Sequence, residues 1–225
     1  MGPYIMLATA LVLLGMAAWL WELGEARGEP ARLLLVWIAF SAVTALIAAA
    51  GMWIEDASMG QSFTAASRTY YMIAAFILFL FARSFSVGID FTVLYWSVPL
   101  QLGLAGIIIN WQSMFELRGG AWVLDLENPA AILIMAVTLL YDLLALIYAV
   151  ILYLTLRREG RQKEKGRSGT MVAAVCLLFL ASATGSVVGG ESGYVAGAVF
   201  LFYIAGVLLL IWAFRGPFAF RTVER

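Results

Sequence analysis

Seven long apolar runs divide this chain of 225 residues, and they limit what it can fold into. A run of about 18 or more apolar residues is long enough to cross the hydrocarbon core of a bilayer as a helix. Because lipid offers no hydrogen bonds to the backbone, such a run must satisfy its own amides as a helix. The sequence therefore predicts one all-α transmembrane domain over residues 1–225. Its predicted spans are 4–21, 31–54, 69–87, 91–110, 130–155, 170–189 and 194–214.

The basic residues are distributed unevenly between the loops. Segment 157–167 holds six of the 14 Lys and Arg residues, and alternation of the spans places six more on the same side. Short loops rich in Lys and Arg face the cytoplasm. The pattern predicts an outside N-terminus and a cytoplasmic C-terminus in the plasma membrane. Anionic lipid headgroups are the expected partners of segment 157–167, and nucleic acid is not, because the segment is short and lacks interleaved aromatic residues.

Three sequence features recur in the same order at nearly constant spacing. The pairs are Arg27 with Arg161 and Gly51 with Gly185, each 134 residues apart, and Arg83 with Arg215, 132 apart. This spacing favours two three-helix repeats, 1–90 and 130–225, joined by a fourth helix over 91–110. Parallel repeats of this kind, related by an axis along the membrane normal, occur in transporters.

In this architecture the chain resembles the SWEET and PQ-loop transporters and the microbial rhodopsins. The resemblance covers the whole chain, at the level of topology. The chain has no Pro-Gln pair, and residues 194–214 contain no lysine to which a rhodopsin would attach its retinal. The resemblance implies either a transporter of a small solute or a retinal-free, opsin-like sensor, with no cofactor.

Asp142 is the most informative single residue, because it lies near the middle of the fifth predicted span. A charge at that depth costs roughly 2.5–3.5 kcal/mol on insertion scales, and such residues commonly serve ion or proton pathways. Thr138, one turn earlier, is its expected partner, and Tyr141 and Tyr148 form a neighbouring stripe that is either a polar wall beside it or a packing surface. The alternative is an interhelical anchor that only fixes packing.

Three further side chains are predicted to line the same pathway. Gln101 follows Pro99 in span four, and a proline-broken helix at mid-depth can build a substrate site. Ser182 and Ser186 lie in span six and offer hydroxyl groups to a polar ligand. A simple proline kink, and hydroxyls bonded to their own helix, are the alternatives.

Two further features are a GxxxG motif and arginines at the ends of two predicted spans. Gly185 and Gly189 form a GxxxG motif that permits close helix packing within the chain, within a homo-oligomer or against another subunit. Arg83 and Arg215 end spans three and seven, and we interpret them as gate residues or as contacts with lipid headgroups.

Absent residue types limit the function further. The chain has no histidine and one cysteine, so it has neither a histidine-based metal site nor a Ser-His-Asp triad, and we expect no enzymatic activity. The leading hypothesis is a transporter or channel-like binder of a small solute or ion, with proton coupling through Asp142 as its sharper form. The sensor and a structural subunit of a membrane complex are the alternatives.

Overall fold

The computed structural model describes residues 2–22, 29–54, 56–86, 89–118, 121–187 and 193–214. These residues form helices and one hairpin of two strands. The elements are α1 (Gly2–Glu22), α2 (Glu29–Trp53), α3 (Ala57–Ser84), α4 (Val93–Trp96), α5 (Val98–Asn110), β1 (Phe115–Arg118), β2 (Ala121–Leu124), α6 (Pro129–Arg158), α7 (Gln162–Val187) and α8 (Gly193–Phe214).

Within the described ranges, six helical segments are long and apolar enough to cross a membrane. One of them, Val93–Asn110, comprises α4 and α5 together. A shorter apolar stretch, Val199–Ala213, lies within α8. Every predicted span therefore contains helix, and the molecule has the helices of a multi-pass membrane protein.

The third helix is longer than predicted. It begins at Ala57, twelve residues before the predicted start, where the Asp56 side chain accepts a hydrogen bond of 2.9 Å from the Met59 amide. This N-cap satisfies a free amide at the start of the helix. As a consequence Arg68, which the prediction places in an outer loop, is the twelfth residue of α3.

A β-hairpin between α5 and α6 was not predicted. Strands β1 and β2 pair antiparallel, with Phe115 opposite Leu124 and Leu117 opposite Trp122. The Trp122 ring packs onto α3 at Gly60, where an added Cβ would lie 2.5 Å from the indole Nε1. Gly60 therefore lets the hairpin cover the beginning of α3.

The long helices pack as a ring with one helix outside it. Neighbouring pairs are α1 with α2, α2 with α3, α3 with α6, α6 with α7, α7 with α8, and α8 with α1. Helix α5 packs against the outside of α6 and α3. Small residues bring α7 and α8 together: an added Cβ at Gly206 would lie 3.0 Å from the Ala174 carbonyl oxygen. The ring therefore has a close-packed wall and a defined centre.

Candidate functional site

Asp142 lies at the centre of the helix ring. It is the fourteenth of the 30 residues of α6, and its side chain is 5% exposed. Its Oδ2 atom is buried without a hydrogen-bond partner. Transfer of an unpaired polar group from water into an apolar interior costs free energy.

The helices around Asp142 leave a small cavity. Its lining side chains come from four further helices: Trp37, Ser41, Tyr71, Ala74, Ala75, Leu78, Leu178 and Tyr203. The cavity offers about 10 Å³ to the centre of a water molecule. That volume corresponds to roughly one water molecule, and a water also needs polar partners. The Asp142 carboxyl and the hydroxyls of Ser41, Tyr71 and Tyr203 provide them.

Ser182 approaches the Asp142 carboxyl from α7. Its hydroxyl is buried, and neither this hydroxyl nor the Asp142 Oδ2 atom makes a hydrogen bond of acceptable geometry. Ser41 on α2 likewise has a buried hydroxyl without a partner and lies near Tyr203. Ser41 and Asp142 therefore place two buried polar atoms without partners on the cavity lining, and the Ser182 hydroxyl lies beside the Asp142 carboxyl.

The residues predicted along α6 behave differently from Asp142. Thr138 is buried, but its hydroxyl donates to the Ile134 carbonyl of its own helix at 2.9 Å, so it is not the partner that we predicted. Tyr148 packs against Phe79, with ring centroids 5.8 Å apart. Tyr148 does not line the cavity. Tyr148 therefore follows the packing alternative, and the two tyrosines do not form a polar wall.

Tyr141 instead supplies hydrogen bonds at the break in span four. Its hydroxyl donates to the Trp96 carbonyl at 2.6 Å and accepts from the Leu100 amide at 2.9 Å. These are the two groups that a continuous helix would bond to each other, at positions i and i+4. Pro99 lies between them, and a side chain inserted into the helix ladder is a recognised cause of a kink. The Tyr141 hydroxyl thus joins α4, α5 and α6.

Gln101 lies away from the cavity. Its side chain is exposed on the outer face of α5, and its Nε2 donates to the Ser97 hydroxyl at 3.2 Å. The prediction that it is a buried site residue is wrong, because α5 turns the opposite face, with Gly103 and Ile107, towards the bundle. Sequence alone did not fix this rotation, since nearly every residue of α5 is apolar.

Arg83 is buried at the end of α3, with 3% of its side chain exposed. Its Nη2 donates to Asp90 Oδ1 at 2.8 Å and to Thr92 Oγ1 at 2.5 Å. Hydrogen bonds from Thr92 and then from Arg83 lower the pKa of Asp90 to about 2. Arg83 therefore fastens the segment between α3 and α4 instead of extending to lipid headgroups.

Four residues named from the sequence lie wholly or in part beyond what the structure describes, and two of them, Arg27 and Gly189, fall in segments that it leaves out. Arg215 follows the described part of the chain, and the side chain of Ser186 is likewise outside it. Gly185 is described, and an added Cβ there would lie 3.5 Å from Val199 Cγ1 of α8. This glycine of the GxxxG motif thus packs within the chain.

Sequence analysis missed Tyr71 and Tyr203, although a signal was present. The two tyrosines are 132 residues apart, the spacing that also separates Arg83 from Arg215. Applying that spacing to every polar residue within the spans would have paired them. Among the described residues, no three acidic or cysteine side chains cluster in a way that could hold a metal ion.

Comparison with known proteins adds no assignment. No family model, no curated protein and no solved structure matches the chain.

Proposed function

We propose that this protein moves protons across the membrane, with Asp142 as the group that binds and releases them. One observation carries the proposal: a mid-helix carboxyl whose Oδ2 has no partner lines a cavity shared with three hydroxyl groups. Ionisable residues inside membrane helices typically mark ion pathways or proton relays. The role is non-enzymatic and needs no cofactor.

The size of the cavity favours a proton over a larger solute. About 10 Å³ admits one water molecule and no sugar or amino acid. A water in the cavity would face the Asp142 carboxyl and the hydroxyls of Tyr71 and Tyr203, which line it and can pass a proton by exchanging hydrogen bonds. Of the small solutes and ions that the sequence allows, we therefore propose the proton as the transported species.

The proposal includes two parallel three-helix repeats and an orientation in the membrane. The ring arrangement supports two parallel repeats, because exchanging α1–α3 with α6–α8 maps the α3–α6 contact onto the α8–α1 contact. The excess of basic residues in 157–167 supports a cytoplasmic position for the adjoining ends of α6 and α7 and a plasma-membrane location.

The experiment is a proton-flux assay in lipid vesicles that contain an internal pH dye. A potassium gradient with valinomycin sets the membrane potential that drives proton movement. We expect flux with the parent protein and a loss of about a hundredfold in Asp142→Asn, which keeps the shape and removes the proton-binding group. Asp142→Glu should retain measurable flux.

Controls separate the mechanism from folding. Glu127→Gln removes an exposed carboxylate outside the helices and should leave the flux unchanged. Thermal unfolding followed by tryptophan fluorescence should show that Asp142→Asn remains folded. Parent flux equal to that of protein-free vesicles, or a folded Asp142→Asn with parental flux, would refute the proposal.

A structural subunit of a larger complex is the second candidate. The exposed amide of Gln101, on a helix outside the ring, favours this role, because a polar group on the lipid-facing surface is unusual. Absence of flux in the parent protein would transfer our preference to this function.

A further inference from the structure

The outer face of α5 differs from the other lipid-facing surfaces of the bundle. Gln101 is the ninth of the 18 residues of the spanning segment Val93–Asn110, which places it at mid-depth. At comparable positions on α6 and α7, exposed side chains are apolar, as at Leu143, Ile147 and Leu180. A primary amide thus lies where hydrocarbon offers it no hydrogen bonds.

The hydrogen bonds of Gln101 are incomplete. Its Nε2 has one partner, the Ser97 hydroxyl on the same helix face. Within the described residues its Oε1 accepts no hydrogen bond. A primary amide carries two donor hydrogens and an acceptor oxygen, so one acceptor and one donor remain available.

The residues around Gln101 form a stripe with a recognisable repeat. Leu94, Val98, Gln101, Ala105 and Ile108 are spaced four, three, four and three residues apart, and all are exposed. Spacing that alternates between three and four is the seam along which helices pack in left-handed pairs. A single polar amide in such a seam fixes the register and number of the associating helices.

The bundle itself does not cover this stripe. Only 11% of the Val93–Asn110 segment is buried, compared with 56% of an apolar 18-residue stretch of α3. The opposite face of α5 makes the contact with the ring, where an added Cβ at Gly103 would lie 2.5 Å from the Met72 sulfur. Helix α5 therefore packs against the ring with one face and leaves the opposite face exposed.

We propose that the outer stripe of α5 binds the same stripe of a second copy of this chain, forming a dimer with Gln101 paired to Gln101. The partner is a second copy because the amide is complementary to itself. A two-fold axis along the membrane normal places each Oε1 against the Nε2 of the other subunit. Such an isologous contact closes at two subunits. This interface is independent of the proposed proton pathway.

Cross-linking tests the contact directly. The sole cysteine, Cys176, is replaced by alanine, and Ala105→Cys is introduced into the stripe. Ala173→Cys is the matched control, an exposed alanine in the middle of α7. In lipid vesicles treated with copper phenanthroline, Ala105→Cys should give a disulfide-linked dimer and Ala173→Cys should not. Equal cross-linking at both positions would contradict the interface.

Dilution in lipid then tests the role of the amide. Single-molecule photobleaching of labelled protein in vesicles gives the monomer and dimer fractions at each protein-to-lipid ratio. Gln101→Leu removes two interhelical hydrogen bonds per dimer and should raise the dissociation constant roughly tenfold. Gln101→Asn, which keeps the amide, should raise it less.

The outcomes of the two experiments decide the inference. A parent protein that stays monomeric at the highest protein-to-lipid ratio, or a dimer that Gln101→Leu leaves unchanged, would overturn it. Proton flux should be the same in Gln101→Leu and in the parent protein. Failure of the dimer is therefore distinguishable from failure of the proton pathway.

Discussion

The two groups of three helices, α1–α3 and α6–α8, contribute unequally to the central cavity. Each supplies one tyrosine, Tyr71 from the first group and Tyr203 from the second. Only the second group supplies a carboxyl group. The residues 132 and 134 positions before Asp142 are Ala10, which is buried, and Ala8, which is exposed on α1, and neither carries a carboxyl group. The comparison indicates that both groups build the frame of the site, whereas its ionisable chemistry belongs to one.

The largest expected effect concerns the hydrogen bonds at the Pro99 break of span four, which come from Tyr141 of the second group. The residues 132 and 134 positions before Tyr141 are Thr9 and Leu7 on α1, and the Thr9 hydroxyl donates to the Ile5 carbonyl of its own helix. Tyr141→Phe removes both bonds to Trp96 and Leu100 and should lower the free energy of unfolding by about 2–3 kcal/mol. Chemical denaturation in detergent measures it. Tyr148→Phe is the control and should unfold like the parent protein.

A carboxyl group introduced into the first group tests how far the two groups are equivalent. Because Ala8 is exposed on α1, Ala8→Asp should place a charge against lipid and destabilise the protein by about 2 kcal/mol. Ala8→Leu, measured in the same unfolding assay, should be neutral. If Ala8→Asp were as stable as the parent protein, α1 would face a polar interior and the asymmetry would disappear.

The two cavity tyrosines test what the two helix groups have in common, because each group supplies one of them. Tyr71→Phe and Tyr203→Phe each remove one hydroxyl beside Asp142 and should slow proton flux by similar factors, about threefold to tenfold. Tyr148→Phe, outside the cavity, should have parental flux. A loss confined to one tyrosine would show that a single helix group carries the path.

The smallest effect lies at the end of α3. Because the folded-state pKa of Asp90, about 2, lies below its ordinary value, ionised Asp90 stabilises the fold above about pH 4. Asp90→Asn should therefore lower the melting temperature at pH 7 by no more than about 2 °C. The difference from the parent protein should vanish as the pH falls from about 4 towards 2. A difference that persisted at pH 2 would contradict the role assigned to the Arg83–Asp90 pair.

Hydropathy predicted where each membrane-spanning helix lies, and the position of Asp142 near the middle of span five singled it out. Hydropathy did not predict the first twelve residues of α3, because that stretch includes Gln61, Ser62 and Arg68 and lacks an apolar run. The hairpin was missed because four-residue strands such as Phe115–Arg118 are too short to produce a clear alternation.

Helix rotation was the harder problem. In a soluble helix the polar face marks the outside, but in α5 and α6 apolar side chains face both protein and lipid. The sequence therefore could not tell that Asp142 faces the interior whereas Gln101 faces outwards. For the same reason it could not assign Tyr141 to the break at Pro99 instead of the cavity.

The bond between Tyr141 and span four has a consequence for how the chain is made. The Leu100 amide and the Trp96 carbonyl are completed by a hydroxyl 41 and 45 residues later in the sequence. The ribosome must therefore synthesise the hairpin and nearly half of α6 before the Leu100 amide and the Trp96 carbonyl of span four can form these hydrogen bonds. Until then these groups need water or the insertion machinery as partners. We therefore expect span four to leave that machinery together with α6 and not before it.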